Sequence, residues 1–328
     1  MSENKSIQFS QQQINAIEHK NAPGVIIAGA GSGKTTVMGA RVIHLIEKEN
    51  VPADGILGLT FTNLATGELR KKVRENLEEL RTKNDKQPTD DQFFGEPTIT
   101  TYHSFSSQLV KEFGVLLGIE PDHEIVSDAR RNQICARAIS NSSLDLISLE
   151  TKFKTILERV LKLDDSLSDT AVSTEDLRKF DQELIERASI WSPETPKSAF
   201  EINAKRRIIL AKLVDEFRDL KLAYNVLDYA DMTRIALNLV TDFESVRKKY
   251  QEQYVAVLLD EYQDTSISQR KMLQKLFSNG HSVNAVGDPL QSIYAFRGAS
   301  SRNITQFPTH FPQSGGEESP RFSLPITQ

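Results

Sequence analysis

The chain is poor in cysteine: Cys135 is the only one in 328 residues. An internal disulfide is excluded, and a reducing cytoplasm is the expected setting. Cys135 itself reads as a small buried hydrophobe on a helix. No apolar run approaches the roughly 18 residues needed to span a bilayer. The opening segment MSENKSIQFSQQQ lacks the apolar stretch of a secretory signal, so no membrane partner is expected. There is no excess of positive charge either. Forty Lys and Arg face 45 Asp and Glu, a net charge of −5. That argues against tight, purely electrostatic nucleic-acid binding, while leaving room for a local groove that tracks a backbone and stacks bases. Apolar residues at 38% and charged residues at 26% suit a soluble globular chain, whose length admits two domains.

Short apolar runs at Gly24–Ala28, Ile56–Phe61, Thr98–Tyr102, Val255–Asp260 and Ser282–Val286 have strand length and buried-strand composition. Three lead into helical stripes: Met38, Val42, Leu45 and Ile46; Leu69, Val73, Leu77 and Leu80; Met272, Leu273, Leu276 and Phe277. Strand alternating with helix predicts an α/β fold with a parallel sheet flanked by helices. From about Ser127 to Ala223 helical patterns dominate, as in Leu210, Leu213, Val214, Phe217, Leu220 and Tyr224. This stretch reads as an inserted, mostly helical domain, 127–225, between two parts of an α/β core, 1–126 and 226–328. Polar breaks are expected at Asp164–Thr170 and Ser189–Lys197, an exposed loop at Thr82–Pro97, and a linker or irregular tail at Pro308–Pro325.

The strongest local signal is Ala28-Gly29-Ala30-Gly31-Ser32-Gly33-Lys34-Thr35, followed by Thr36. It leaves a strand and opens a helix, the setting a phosphate-binding loop requires. Glycines let backbone N–H groups converge on phosphate oxygens, and the helix N-terminus adds its positive end. Lys34 offers a mobile cation for the β- and γ-phosphates, and Thr35 a hydroxyl for Mg²⁺. Ala28 occupies the place of the pattern's first glycine, a mild change. The second signal is Val257-Leu258-Leu259-Asp260-Glu261. Two acids at the end of an apolar strand are costly without a task. With a phosphate loop upstream, Asp260 is the candidate metal residue and Glu261 the candidate base that activates water. The third is Gly287-Asp288-Pro289-Leu290-Gln291-Ser292-Ile293-Tyr294-Ala295-Phe296-Arg297. It also starts at a strand end and so can face the same crevice. Gln291 can sense a γ-phosphate without adding charge. Tyr294 and Phe296 offer flat faces to bases and Arg297 a cation, though spacing alone fits core packing of the two aromatics better.

Together these segments resemble the UvrD/Rep/PcrA family of superfamily 1 DNA helicases. AGAGSGKT is similar to that family's motif I, LLDEYQDT to motif II and GDPLQSIYAFRGAS to motif III, in the family's order. Phe9-Ser10-Gln11-Gln12-Gln13 resembles the Q motif, which implies that Gln13 reads the adenine edge. Arg41 falls where the family has an arginine near the adenine. Leu59-Thr60-Phe61-Thr62-Asn63 and Thr101-Tyr102-His103-Ser104-Phe105 resemble motifs Ia and Ib. That implies single-stranded DNA contacts by Phe61, Thr62, Asn63, Tyr102 and His103, and by Tyr294, Phe296 and Arg297 of motif III. Leu227–Met232 is similar to the segment by which the family's chain returns from its insert. Leu64 replaces the usual lysine of motif Ia, and Phe296 the usual tryptophan of motif III.

The resemblance implies a RecA-like core, ATP with Mg²⁺, and ATP-driven 3′→5′ movement on single-stranded DNA in repair or recombination, with repair or nuclease partner proteins. A second RecA-like domain is expected beyond residue 328. Residues 1–328 alone should therefore bind nucleotide but hydrolyse it poorly. The alternative is a non-catalytic DNA-binding or scaffold subunit of a helicase–nuclease complex.

Overall fold

The structure, a computed structural model, describes residues 8–83, 95–188, 197–292 and 299–324. Helix α1 (Gln11–Ile17) precedes strand β1 (Gly24–Ala28) and helix α2 (Lys34–Glu47). Then come β2 (Ile56–Thr60), α3 (Asn63–Lys83), β3 (Thr98–Thr101) and α4 (Tyr102–Phe113). A two-residue strand, β4 (Glu124–Ile125), leads to helices α5 (Asp128–Asn141), α6 (Phe153–Thr170), α7 (Thr174–Ala188) and α8 (Lys197–Ala223). The chain continues through β5 (Val226–Leu227), α9 (Tyr229–Asp242), α10 (Glu244–Gln253), β6 (Ala256–Leu259) and α11 (Ile267–Leu276). It closes with β7 (Ser282–Gly287), short helices α12 (Arg302–Thr305) and α13 (Phe307–His310), and β8 (Arg321–Leu324). Two compact units result, one made of Met1–Phe105 with Val240–Gln328, the other of Ser106–Leu239.

The first unit holds a six-stranded sheet in the order β3-β2-β6-β7-β1-β8, and every adjacent pair is parallel. Its interior strands β2, β6 and β7 are buried along their length because helices cover them, and β2 and β6 accordingly read as apolar runs. Val37, Met38, Val42, Leu45 and Ile46 of α2 and Leu69, Val73 and Leu77 of α3 share one core with Ile26, Ile56, Leu258 and Val286 of the strands. Each fully buried aliphatic side chain of this kind contributes roughly 1.5–3 kcal/mol. Parallel strands end at a common edge. The phosphate loop, Asp260 and Asp288 follow β1, β6 and β7 there, and Phe61 and Tyr102 follow β2 and β3.

One strand departs from expectation. Pro308–Pro325 was expected to be irregular, yet Arg321–Leu324 forms β8 and pairs with β1 from Val25↔Arg321 to Ala28↔Leu324. It is a short edge strand with alternating exposure, and the prolines and glycines around it mask its period.

The second unit packs α5, α6 and α8 around Ile134, Cys135, Val160, Leu213, Val214 and Phe217. Burial pushes the Cys135 thiol up to about 12. The expected break at Asp164–Thr170 is instead the last two turns of α6. Asp164 and Ser168 are buried there, and Asp164 accepts hydrogen bonds from Arg218 at 2.7 Å and Lys221 at 3.3 Å. Lys221 also meets Asp228 and Asp231, each at 2.7 Å, and lies over the Phe217 ring. Of the expected loop at Thr82–Pro97, residues 82–83 belong to α3, and 84–94 lie outside the described residues. The break at Ser189–Lys197 lies outside them too, apart from Lys197, which begins α8.

Candidate nucleotide-binding site

The loop between β1 and α2 needs two left-handed residues, and glycine supplies both: Gly31 has φ +74° and Gly33 φ +79°. Ser32 is turned inward, its hydroxyl donating to the Gly29 carbonyl at 2.8 Å. Val37 N–H then bonds the Gly33 carbonyl at 2.9 Å, so α2 starts under the loop with its first amides directed at the cradle. Gln13 braces this loop from α1. Its Oε1 accepts from Ser10 N–H at 2.8 Å, and its Nε2 donates to the Ser32 carbonyl at 3.1 Å. The Ser10–Gln13 pair is also the capping box that starts α1.

Lys34 and Glu261 meet across the sheet edge, Nζ lying 3.0 and 3.1 Å from the two carboxylate oxygens. Glu261 sits at φ 45°, a left-handed conformation uncommon for a non-glycine residue and typical of sites that hold a side chain in one direction. Asp260 is 6% exposed, and its Oδ1 accepts from Glu261 N–H at 3.0 Å. Burial, and then the neighbouring Glu261 charge, push its carboxyl up to about 6. Thr35 and Thr36 are half-buried on the first turn of α2.

Gln291 reaches this group indirectly. Its Nε2 donates to Asp288 Oδ2 at 2.6 Å, and Asp288 N–H donates to Gln263 Oε1 at 3.1 Å. Gln263 Nε2 in turn donates to Glu261 Oε2 at 2.7 Å. Neither Gln263 nor Asp288 was singled out from the sequence. The signal lay within LLDEYQDT, a buried amide two residues beyond the acids.

Arg41 is fully buried inside the first unit. Its guanidinium donates to the carbonyls of Ala16, Ile17, His19 and Lys20, closing the turn after α1. Burial lowers its pKa to about 10. Tyr102 is 1% exposed, and its hydroxyl donates to the Asp260 carbonyl at 3.0 Å, so its ring offers no surface to a ligand. Phe61 and His103 are half-buried, and Thr62 and Asn63 are exposed at the start of α3. Leu64 beside them is 73% exposed. Tyr294, Phe296 and Arg297 lie outside the described residues.

The donor set suits one Mg²⁺ shared with a triphosphate. Among the described residues no cluster of three or more His, Cys, Asp or Glu forms a metal cage. Mg²⁺ is commonly held by one or two carboxylates together with substrate phosphates. Asp260 and Thr35 are the residues here that could hold such an ion.

The description "UvrD/REP helicase N-terminal domain" fits residues 9–312. The chain belongs to this family. It is 29% identical over 303 residues to a probable DNA helicase II homolog of Mycoplasma capricolum, covering 91% of the chain and 36% of that protein. It is 25% identical to the ATP-dependent DNA helicase PcrA of Leuconostoc citreum and 24% identical to that of Staphylococcus aureus, covering 93% of the chain and 36% of each relative. The chain thus spans about a third of the length of these UvrD/REP relatives. The six-stranded parallel sheet is the RecA-like helicase core expected of the family. No helix among the described residues is long and apolar enough to cross a membrane.

Proposed function

We propose that this chain is the nucleotide-binding part of an ATP-dependent DNA helicase that moves 3′→5′ along single-stranded DNA in repair or recombination. One observation carries the reading: Lys34, Asp260 and Glu261 converge at the edge where the phosphate loop opens. The loop amides and the N-terminus of α2 take the phosphates of ATP. Lys34 exchanges its carboxylate partner for β- and γ-phosphate oxygens. Glu261, so released, orients the attacking water and accepts its proton. Gln291 reports the γ-phosphate to the loop after β7. Asp260 and Thr35 would hold Mg²⁺, which when bound would supply positive charge to the phosphate oxygens. Gln13 and Arg41 frame the adenine end, Arg41 by fixing the turn behind Gln13.

Phe61, Thr62, Asn63 and His103, at the ends of β2 and β3, are the proposed DNA contacts of the described residues. Tyr294, Phe296 and Arg297 complete that set by resemblance. The helical segment 127–225 is read as a domain inserted in the core. The relatives are far longer than this chain, and residues 1–328 alone are expected to bind nucleotide and turn it over slowly. Trans-acting arginines contribute about 10³–10⁵ to rate in related NTPases.

The test is ATP hydrolysis by the full-length protein with and without single-stranded oligonucleotide. The expected result is severalfold stimulation. Hydrolysis indifferent to DNA would sink the translocase reading.

A further inference from the structure

We propose that Gln263 is a positioning residue that aligns the Glu261 carboxylate and transmits to it the position of the loop after β7. The proposal rests on the reading of Glu261 as the base.

Gln263 is 1% exposed, so its amide groups must find partners inside the protein. Its orientation is fixed by chemistry. Asp288 N–H can only donate, so the atom facing it at 3.1 Å is Oε1. Nε2 therefore faces the acids, with Glu261 Oε2 at 2.7 Å and Asp264 Oδ2 at 3.4 Å. A flipped amide would set oxygen against carboxylate and N–H against N–H. The one amide thus joins the end of β6 to the end of β7.

The fit at β7 is close. A Cβ built on Gly287 would lie 2.0 Å from Gln263 Oε1 and 2.8 Å from Ile304 Cδ1. Gly287 is not in the left-handed region, so glycine is needed here for space and not for backbone freedom. The same loop touches Gln263 a second time, through Ser292 Oγ to its carbonyl at 3.3 Å. Gln291 is tied to Asp288 at 2.6 Å. A shift of this loop when Gln291 meets a γ-phosphate is therefore felt at Gln263 Oε1, and from there at Glu261.

Glu261 has two kinds of partner in this arrangement, the Lys34 ammonium and the Gln263 amide. When Lys34 turns to phosphate, Gln263 remains to hold the carboxylate. A purely structural amide would stabilise the 262–265 turn without affecting turnover separately from binding.

The test uses the full-length protein with three variants. Gln263→Met keeps length and loses all three of the side-chain hydrogen bonds to Asp288, Glu261 and Asp264. Gln263→Glu keeps the acceptor toward Asp288 N–H and loses the donor toward Glu261. Gly287→Ala drives Oε1 from its seat. The readouts are kcat for ATP hydrolysis with single-stranded DNA and Kd for a fluorescent ADP analogue. Each variant should lower kcat by about tenfold or more while Kd moves less than about threefold, and Gln263→Met with Gly287→Ala should be no worse than the worse single change.

A kcat within about threefold of wild type, losses in kcat and binding that run in parallel, or single losses that multiply would each overturn the proposal. If Gln263→Met does not fold, Gln263→Glu, with the native shape, carries the measurement. Failure of both to bind nucleotide also overturns it, because the residue would then hold the fold and not the carboxylate. A wild-type protein without ATP hydrolysis would sink the proposed function itself. An active wild type with indifferent variants would sink the relay alone.

Discussion

The Lys34 ammonium is held bidentately by Glu261, at 3.0 and 3.1 Å. The phosphate-loop cation and the proposed base therefore neutralise each other until a stronger anion enters the cradle. Phosphate oxygens must compete with Glu261 for the same Nζ. In Glu261→Gln that competitor loses its charge. Nucleotide affinity should stay the same or tighten, while turnover falls by about 10²-fold or more, the scale of a lost general base. Equilibrium titration and single-turnover hydrolysis separate the two effects. Preserved turnover would remove Glu261 from the base role.

Asp260 carries a stability cost that should be measurable. Its folded carboxyl is pushed up to about 6, mainly by burial, whereas an unfolded aspartate titrates near 3.9. Between those values the folded chain binds more protons than the unfolded one, so this group's contribution improves as pH falls through about 6. At pH 7 it is ionised and unfavourable. Asp260→Asn keeps an oxygen for Glu261 N–H and removes the charge. It should be more stable than wild type by roughly 1–3 kcal/mol at pH 7, with the gap closing by about pH 4. Urea unfolding at pH 7.5 and 4.5 checks this, and the variant should lose Mg²⁺-dependent hydrolysis. A less stable Asn variant at neutral pH would contradict the argument.

The helical unit depends on a different buried charge. Burial opposes the charge on Lys221, yet Asp231, Asp164 and Asp228 raise its pKa above the usual range. Burial likewise opposes ionised Asp231, and Lys221 with Arg234 holds that carboxyl below the usual range. Lys221→Met leaves carboxylates in the interior and should cost about 3–5 kcal/mol. Lys205, 61% exposed in its pair with Glu201, is the control, and Lys205→Met should change stability by less than about 0.5 kcal/mol. Chemical denaturation of both variants makes the comparison. Equal effects would show that the network contributes nothing particular.

Five of the six sheet strands were legible because β1, β2, β3, β6 and β7 follow the period and length of buried strands. The glycine-rich turn after β1 and the two acids after β6 stand at strand ends as expected, because each directly follows a recognisable buried strand. What escaped was decided by long-range partners. β8 is recognisable only through its pairing with β1. Asp164 and Ser168 look like a break in α6 until Arg218 is seen beside them. Tyr102 carries an aromatic ring, which fits base stacking as well as burial, and the Asp260 carbonyl 158 residues away decides its place. Arg41 is set near the adenine by resemblance alone, and no local pattern announces the four backbone carbonyls that take its guanidinium.

The neighbours of β1 bear on how this polypeptide is made. The strand that launches the phosphate loop, Gly24–Ala28, is made before both its partners, β7 and β8, which begin at Ser282 and Arg321. At roughly 5–20 residues per second, Gly24–Ala28 waits on the order of tens of seconds for the segments that flank it. Throughout that interval GVIIA is an unpaired apolar ribbon, open to mispairing with other nascent chains. A nascent chain that stops before Ser282 leaves that ribbon without either of its neighbours.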